Sequence, residues 1–585
     1  MRTGRRTFKG QPISPGIAMG RTRVILPGDI KIAEVVVAPS RVNDEIEALE
    51  RAVAAALEEL RAIRTTAGKK VAGPVAKIFD AQVLIAGDYE FLKQVKEQIT
   101  SQRRNAGFVY NSLVERTTVP LRMSRDPYMQ QMALDIEAVS RKVLSHLQGS
   151  GELSQANFQP DTVLVGKMFT PGDVLSYRHR KAVGFLVGEG GRNSHMALIA
   201  RSLMVPAVVV EDIWTQACDD CPIIIDGNTG VVIAHPTEAE WTEYQKLRKR
   251  QGPATILRIK KLSTIPPKTK DGKPFKIAAN LELPGPMDEI LAEQRFPVGL
   301  YRTEFMYLEA GTFPDEEAQY QHYAAIAETF AHSEVILRTF DIGSDKMHPS
   351  GQMPHEDNPA LGFRGIRPML AMPEVFKDQL RAMLRASVRK NLKIMLPMVS
   401  DLAEFEKARK LLGQVMLELR RDRIPFDENI QLGIMVEVPS AALTADCLAE
   451  KVDFMSIGTN DLTQYTLSAD RSNGRVADIY SPYHPSVLHL IKLTVDACKK
   501  RRKPVSICGE VAGDQLALPL FMGMGVDQLS MSPVKIFDMC RLVKQLDSEL
   551  VRLLVGSVMS SSSVAAVTRK LQSFRDALEQ KQPFR

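Results

Sequence analysis

The chain has 585 residues, 44% of them hydrophobic and 25% charged, the composition of a globular protein of roughly three to five domains. Gly (37) and Pro (34) stand at ordinary levels, which excludes collagen-like, low-complexity and largely disordered chains. A net charge of +7 tilts partners toward acidic or phosphorylated ones, but without the localised basic patch of a nucleic-acid binder. No apolar run approaches the ~20 residues of a membrane span, and the basic opening MRTGRR leads into no hydrophobic segment of the secretory kind. Six cysteines make no disulfide framework, so a reducing, cytoplasmic setting is expected.

Residues 1–40 and 150–236 are rich in short Val, Ile, Gly and Pro runs that predict strands and turns. Between them, Ile46, Leu49, Val53, Leu57, Leu60 and Ile63 recur at three- and four-residue steps, and Leu134, Ile136, Val139, Val143 and Leu147 do the same. A helical unit is therefore expected to interrupt an α/β unit. The segment 237–262 is strongly charged and predicts a connecting helix and linker with a solvated face, before the boundary at Pro266-Pro267.

From 268 onward, apolar runs recur at 277–280, 298–302, 335–341, 392–398, 432–437, 453–460, 504–510 and 526–530; all but the fourth end in a polar or charged residue, and a helical pattern follows most of them. Eight strand-then-helix units predict a closed (β/α)8 barrel, whose chemistry gathers at the carboxyl ends of its strands. Those ends carry Asn280, Arg302, Arg338, Glu437, Asn460, Asp461 and Cys508.

Glu437 and Asp461 close neighbouring fifth and sixth strands, an arrangement suited to Mg²⁺ shared with substrate oxygens. Arg302 and Arg338 offer guanidinium forks that match a phosphoryl group; Arg364 and Arg367 are further basic candidates. Cys508 is either a proton donor or nucleophile at the rim or a small core residue. The C-x-x-C pair Cys218–Cys221 has no second pair, and predicts a loop without chemical duty rather than a zinc or redox site. The run Gly190-Gly191-Arg192-Asn193-Ser194-His195 opens an apolar helical stretch, placing His195 near a helix N-terminus that favours an added anion. On this context alone, a nucleophilic imidazole and an ordinary surface histidine are equally supported.

Taken together, these segments resemble the phosphoenolpyruvate-utilising enzymes. Residues 190–201 with VPAV at 205–208 are similar to that family's phosphohistidine signature. GLYRTEF at 299–305, LRTFDIG at 337–343, NPALGFRGIR at 358–367, IMVEVPSA at 434–441, SIGTNDLTQY at 456–465 and SICGEVA at 506–512 are similar to its barrel motifs. The whole layout, with ISPGI at 13–17, resembles the Enzyme I group of the bacterial sugar phosphotransferase system. The resemblance implies a multidomain α/β architecture. Residues 1–40 plus 149–236 would form a swivelling phosphohistidine domain and 41–148 an inserted helical domain that binds the carrier. Residues 237–267 would form a linker helix, and 268–585 the phosphoenolpyruvate-binding, dimerising barrel.

It implies further that His195 takes the phosphoryl group from phosphoenolpyruvate, releasing pyruvate, and hands it to a histidine of an HPr-type carrier. Arg302, Arg338, Arg471, Asn460 and Asp461 would bind substrate, Glu437 and Asp461 would hold Mg²⁺ (or Mn²⁺), and Cys508 would protonate the enolpyruvate carbon. Thr170 and Arg364 would support them. Neither nucleic acid nor membrane is implied as a partner. Asn193, Ser344 and Gln82 depart from residues common in the family, and 41–150 holds 16 Lys/Arg against 14 Asp/Glu where well-known members present an acidic face. A paralogous regulatory member serving another carrier is therefore the alternative, with an inactive regulatory relative beside it. A dikinase would need a nucleotide-binding domain for which no block remains and no phosphate loop appears.

Overall fold

The computed structural model describes residues 4–25, 33–70, 82–124, 127–147, 158–169, 173–174, 177–178, 180–189, 195–203, 205–249, 266–282, 286–310, 312–343, 356, 358–471, 476 and 478–580. They fall into two compact units, 1–254 and 255–585. Among the described residues, no helix is long and apolar enough to cross a membrane.

The first unit is built on an eight-stranded mixed sheet in the order β1-β8-β7-β3-β4-β5-β6-β2. Its strands are β1 (Arg6–Lys9), β2 (Gln11–Ser14), β3 (Ile17–Ile25), β4 (Thr162–Gly166), β5 (Ala182–Val187), β6 (Ala207–Val209), β7 (Pro222–Asp226) and β8 (Val231–Ala234). Strands β3 to β6 run parallel. Every residue of β4 is buried, which is why its sequence reads as a continuous apolar run rather than an alternating one.

Helices α1 (Val42–Lys70), α2 (Tyr89–Gln102), α3 (Ala106–Met123) and α4 (Pro127–Leu147) follow one another between β3 and β4. The predicted stripes meet here: Leu49, Val53, Val95, Ile99, Val109, Leu113 and Val143 share one core, with Ile46, Leu57, Ile136 and Leu147 packed against it. Asp88 caps α2 by accepting from Phe91 N at 3.0 Å, and Arg103 ends it in the left-handed region. Helix α5 (His195–Ser202) follows β5, and the short α6 (Ile213–Gln216) precedes β7. In α7 (Glu238–Lys249) the charged surface conceals an apolar face, where Trp241, Tyr244 and Leu247 pack on Ile17, Met19, Ile224 and Ile233. That stretch is amphipathic, and only part of it is solvated.

The second unit is the closed parallel barrel that the eight apolar runs predict. Its strands are β9 (Lys276–Leu281), β10 (Val298–Arg302), β11 (Val335–Arg338), β12 (Leu392–Leu396), β13 (Gln431–Val436), β14 (Met455–Ile457), β15 (Val505–Ile507) and β16 (Gln528–Met531). Hydrogen bonding runs in sequence order from β9 to β16, and β16 returns to β9. Inside lie Leu300, Ile336, Met395, Met435, Phe454 and Cys508. A much larger apolar layer joins the outer strand faces to the helices. The polar ends of several predicted runs fall beyond the regular strands: Asp341 and Glu437 lie in the following loops, and Asn460 in the helix Thr459–Leu467.

Candidate active site

The ends of β10, β11, β13 and β14 deliver one charged cluster. Arg338 closes β11 and is 7% exposed; Glu437 follows β13 at 1%, and Asp461 lies in the first turn of the helix Thr459–Leu467 at 8%. Arg302 closes β10 and is paired with Glu282. Arg338 is paired with Glu304 and, at 3.1 Å, with Asp341.

Arg364 joins both sides of the cluster. Its Nε and Nη2 donate to Asp341 Oδ1 and Oδ2, each at 2.9 Å, while Nη1 donates to Asp461 Oδ1 at 3.2 Å and to the Tyr465 hydroxyl at 3.1 Å. The next residue, Gly365, has φ +67°, and a Cβ there would lie 2.6 Å from Met398 Cβ. Glycine is thus needed for the backbone path that leads away from Arg364.

Glu437 is held by Met398 N, which donates to Oε1 at 2.6 Å, with Met398 itself at a φ of 57°. A bulky residue in that region stores strain that the surroundings must impose. Burial pushes the Glu437 carboxyl up to about 8; Asp461 and Asp341 add to the shift while Arg338 and Arg364 oppose it. Glu437 thus stands with two further buried carboxylates, Asp341 and Asp461. An all-oxygen donor set of this kind fits Mg²⁺. Gly458 leaves room for it: a Cβ would sit 2.8 Å from Glu437 Oε2.

Cys508 lies at 3% exposure among the apolar side chains inside the barrel. Burial pushes its thiol up to about 11, so the sulfur keeps its proton at neutral pH. Asn280 Nδ2 donates to Cys508 O at 2.9 Å and Ser530 Oγ donates to Asn280 Oδ1 at 2.6 Å, fixing the strand end that bears the thiol. Asn460 Oδ1 accepts from Glu510 N at 2.9 Å.

The predicted residues Arg302, Arg338, Glu437, Asp461, Asn460 and Cys508 lie at the strand ends or just beyond them, and Arg364, before the helix Ile366–Ala371, joins them through Asp341 and Asp461. Arg471 is exposed; its backbone N donates to Gln464 Oε1 at 3.3 Å, and its charge is felt by Tyr480, whose hydroxyl donates to Asn460 O at 3.0 Å. His195 begins α5, consistent with an N-terminal position on a helix. Thr170, Asn193 and Ser344 lie outside the described residues. Sequence reasoning missed Glu282, Glu304, Asp341 and Tyr465 as partners of the arginines. Glu304 and Asp341 stood within the quoted motifs, three or fewer residues from an arginine, and that spacing was the available signal. The C-x-x-C turn also differs from expectation: Cys218 and Cys221 are joined in a disulfide, with Cα atoms 6.0 Å apart.

Three family models match in succession: PEP-utilising enzyme, N-terminal, over 9–131; PEP-utilising enzyme, mobile domain, over 158–230; and PEP-utilising enzyme, PEP-binding domain, over 257–548. Phosphoenolpyruvate-protein phosphotransferase from Listeria innocua is 38% identical over 564 residues, covering 96% of this chain and 98% of that protein. Its namesake from Enterococcus faecalis is 37% identical over 547 residues, covering 92% and 94%. That from Geobacillus stearothermophilus is 38% identical over 563 residues, covering 96% and 97%. The chain belongs to the phosphoenolpyruvate-utilising enzymes. Within that class it is a phosphotransferase.

Proposed function

We propose that the chain moves the phosphoryl group of phosphoenolpyruvate to His195, releases pyruvate, and passes the group on to a histidine of an HPr-type carrier protein. The observation that carries this reading is the convergence of three arginines, three buried carboxylates and a protonated thiol on one barrel rim. Phosphoryl transfer needs positioning and charge stabilisation above all, and those residue types supply both.

In this reading Arg302 and Arg338 exchange their carboxylate partners for the oxygens of the substrate. Arg364 holds Asp341 and Asp461 in place. Asn460 and Arg471 complete the substrate shell. Glu437 and Asp461 would hold Mg²⁺ or Mn²⁺, which supplies neutralisation of phosphate charge when bound. A His195 ring nitrogen attacks phosphorus, the bond from phosphorus to the enol oxygen breaks, and the enolate leaves. Cys508 Sγ–H then gives its proton to the terminal carbon, yielding pyruvate, and the thiolate regains a proton from solvent. A thiol that stays protonated at neutral pH is suited to that donation. Because His195 is the first residue of α5, a phosphoryl group on it would gain from the helix dipole, and Thr170 would support it.

The sheet-bearing block 1–40 plus 149–236 would swivel to present His195. The helical block 41–148 would receive the carrier, 237–267 would link, and the barrel would form the homodimer contact. The balance of 16 basic to 14 acidic residues in 41–150 favours a carrier whose docking face is less basic than that of a sugar-transport carrier, as a regulatory paralogue would use. Incubation with phosphoenolpyruvate and Mg²⁺ tests the core of the reading. One acid-labile phosphate per chain and stoichiometric pyruvate are expected, lost in His195→Ala and absent with ATP as donor. No label on folded, metal-supplied protein would overturn it.

A further inference from the structure

Cys218, Cys221 and His235 take no part in the reaction above. The cysteines flank Asp219-Asp220 in the turn between α6 and β7, and His235 directly follows β8. Because β7 and β8 pair antiparallel with Ile223 opposite Ala234, the entrance of one strand adjoins the exit of the other. His235 N accordingly donates to Pro222 O at 2.9 Å. The two sulfurs and a His235 ring nitrogen all lie within 4.8 Å of one another, and the three residues are half-buried.

The turn is anchored through backbone groups, independently of its sulfurs. The Thr22 hydroxyl donates to Cys218 O at 2.5 Å, and Cys221 N donates to Thr22 Oγ1 at 3.0 Å. The intervening carboxylates have their own partners: Asp219 accepts from Val24 N at 2.5 Å and pairs with Arg23 at 3.2 Å, and Asp220 pairs with Arg21 at 3.2 Å. Opening the disulfide would thus leave both cysteines where they stand.

We propose that the reduced chain binds one Zn²⁺ ion through Cys218 Sγ, Cys221 Sγ and a His235 ring nitrogen, with water as fourth ligand, and that the disulfide is the oxidised, metal-free form of the same site. A tetrahedral zinc with Zn–S near 2.3 Å sets its sulfurs about 3.8 Å apart, within the span of the cluster. Two thiolates and an imidazole select a borderline-soft cation over Mg²⁺, which separates this site from the all-oxygen rim of the barrel. A dithiol reductant opens the site. Its thiolate attacks one sulfur, the Cys218–Cys221 bond breaks, and its second thiol resolves the mixed disulfide and departs as a cyclic disulfide. Two electrons and two protons are thereby left on the cysteines, and Zn²⁺ displaces those two protons on binding.

The test uses the full-length protein, reduced anaerobically, freed of reductant and titrated with Co²⁺ as a coloured probe, then with Zn²⁺. A thiolate-to-cobalt charge-transfer band saturating at one equivalent with release of about two protons, then bleached by Zn²⁺ with release of Co²⁺ and no further protons, is expected. The band should vanish in Cys218→Ser, in Cys221→Ser and in the oxidised chain. At His235, whose φ is 49°, asparagine tolerates the left-handed backbone, so His235→Asn should fold, re-form the disulfide on oxidation, and bind cobalt at least tenfold more weakly. If the reduced wild type shows no band, or if His235→Asn re-forms the disulfide yet binds cobalt as the wild type does, the proposal fails. Neither readout depends on phosphoryl transfer, so this result and that of the phosphoenolpyruvate assay can fail separately.

Discussion

Arg338 spends the substrate-free state between Glu304 and Asp341, with its Nε buried and without a hydrogen-bond partner among the described residues. A planar fork with an unmet donor is ready for a tetrahedral oxyanion in a way that an ammonium point charge is not. Arg338→Lys should therefore lower kcat/KM for pyruvate formation by about 10²–10³-fold while circular dichroism stays unchanged. At Cys508 the demand is for a proton rather than a charge. Cys508→Ala should slow pyruvate release by about 10²-fold or more, read by coupled pyruvate assay, with the melting temperature nearly kept because the neighbours are apolar. The sequence exposed both residues because each stands near the carboxyl end of an apolar strand run. It hid Glu282, 20 residues from its partner Arg302, because nothing in a local pattern says which carboxylate an arginine will meet across a barrel mouth; for Glu304 and Asp341 the only signal was nearness to an arginine. The same blindness applied to His235, which is 14 positions from Cys221 in sequence but beside it across the β7–β8 pair.

At the level of elements, the eight strands were legible because each is buried on both faces and so reads as an uninterrupted apolar run. Their ends were less so. A run such as 453–460 contains the regular strand Met455–Ile457 and then the first residues of a helix, with only Gly458 between them.

Strand β10 also makes a bond to its covering helix that composition could not signal. The Tyr301 hydroxyl lies 2.6 Å from His322 Nε2 on the helix Glu316–Thr329. Burial holds the tyrosine proton far above its usual range, so Tyr301 donates and His322 accepts as a neutral ring. Burial also pushes His322 down to about 4. With a folded value below the ordinary 6.5, the unfolded chain takes the proton first. The contribution is complete above pH 6.5 and is lost as pH falls toward 4, by about 3 kcal/mol in all. Urea titrations of wild type and His322→Gln across pH 7 to 4 should show the shallower fall in the variant. At the next strand ends, Gly458→Ala would drive a methyl onto Glu437. A loss of about 1–3 kcal/mol together with most of the activity is expected, by denaturant midpoint and pyruvate assay.

On the scale of the whole molecule, each of the two compact units has apolar cores of its own. Scanning calorimetry should resolve two transitions, of which one rises when phosphoenolpyruvate and Mg²⁺ are added, because a ligand stabilises only the unit that binds it. His195→Ala should leave that rise intact if the substrate sits at the barrel rim.

Closure of the barrel has a consequence for how the chain is made. Strand β9 completes its hydrogen bonding only on reaching β16, and the side-chain bond from Ser530 to Asn280 spans 250 residues. A ribosome adding roughly 5–20 residues per second needs about 12–50 s to deliver the second partner after the first has emerged. Throughout that interval one edge of a growing parallel sheet lies open, in a nascent chain whose strands are almost wholly apolar. Vectorial synthesis thus forces the barrel's final closure to come late, and the exposed edge of β9 is the surface that a ribosome-associated chaperone would have to shield.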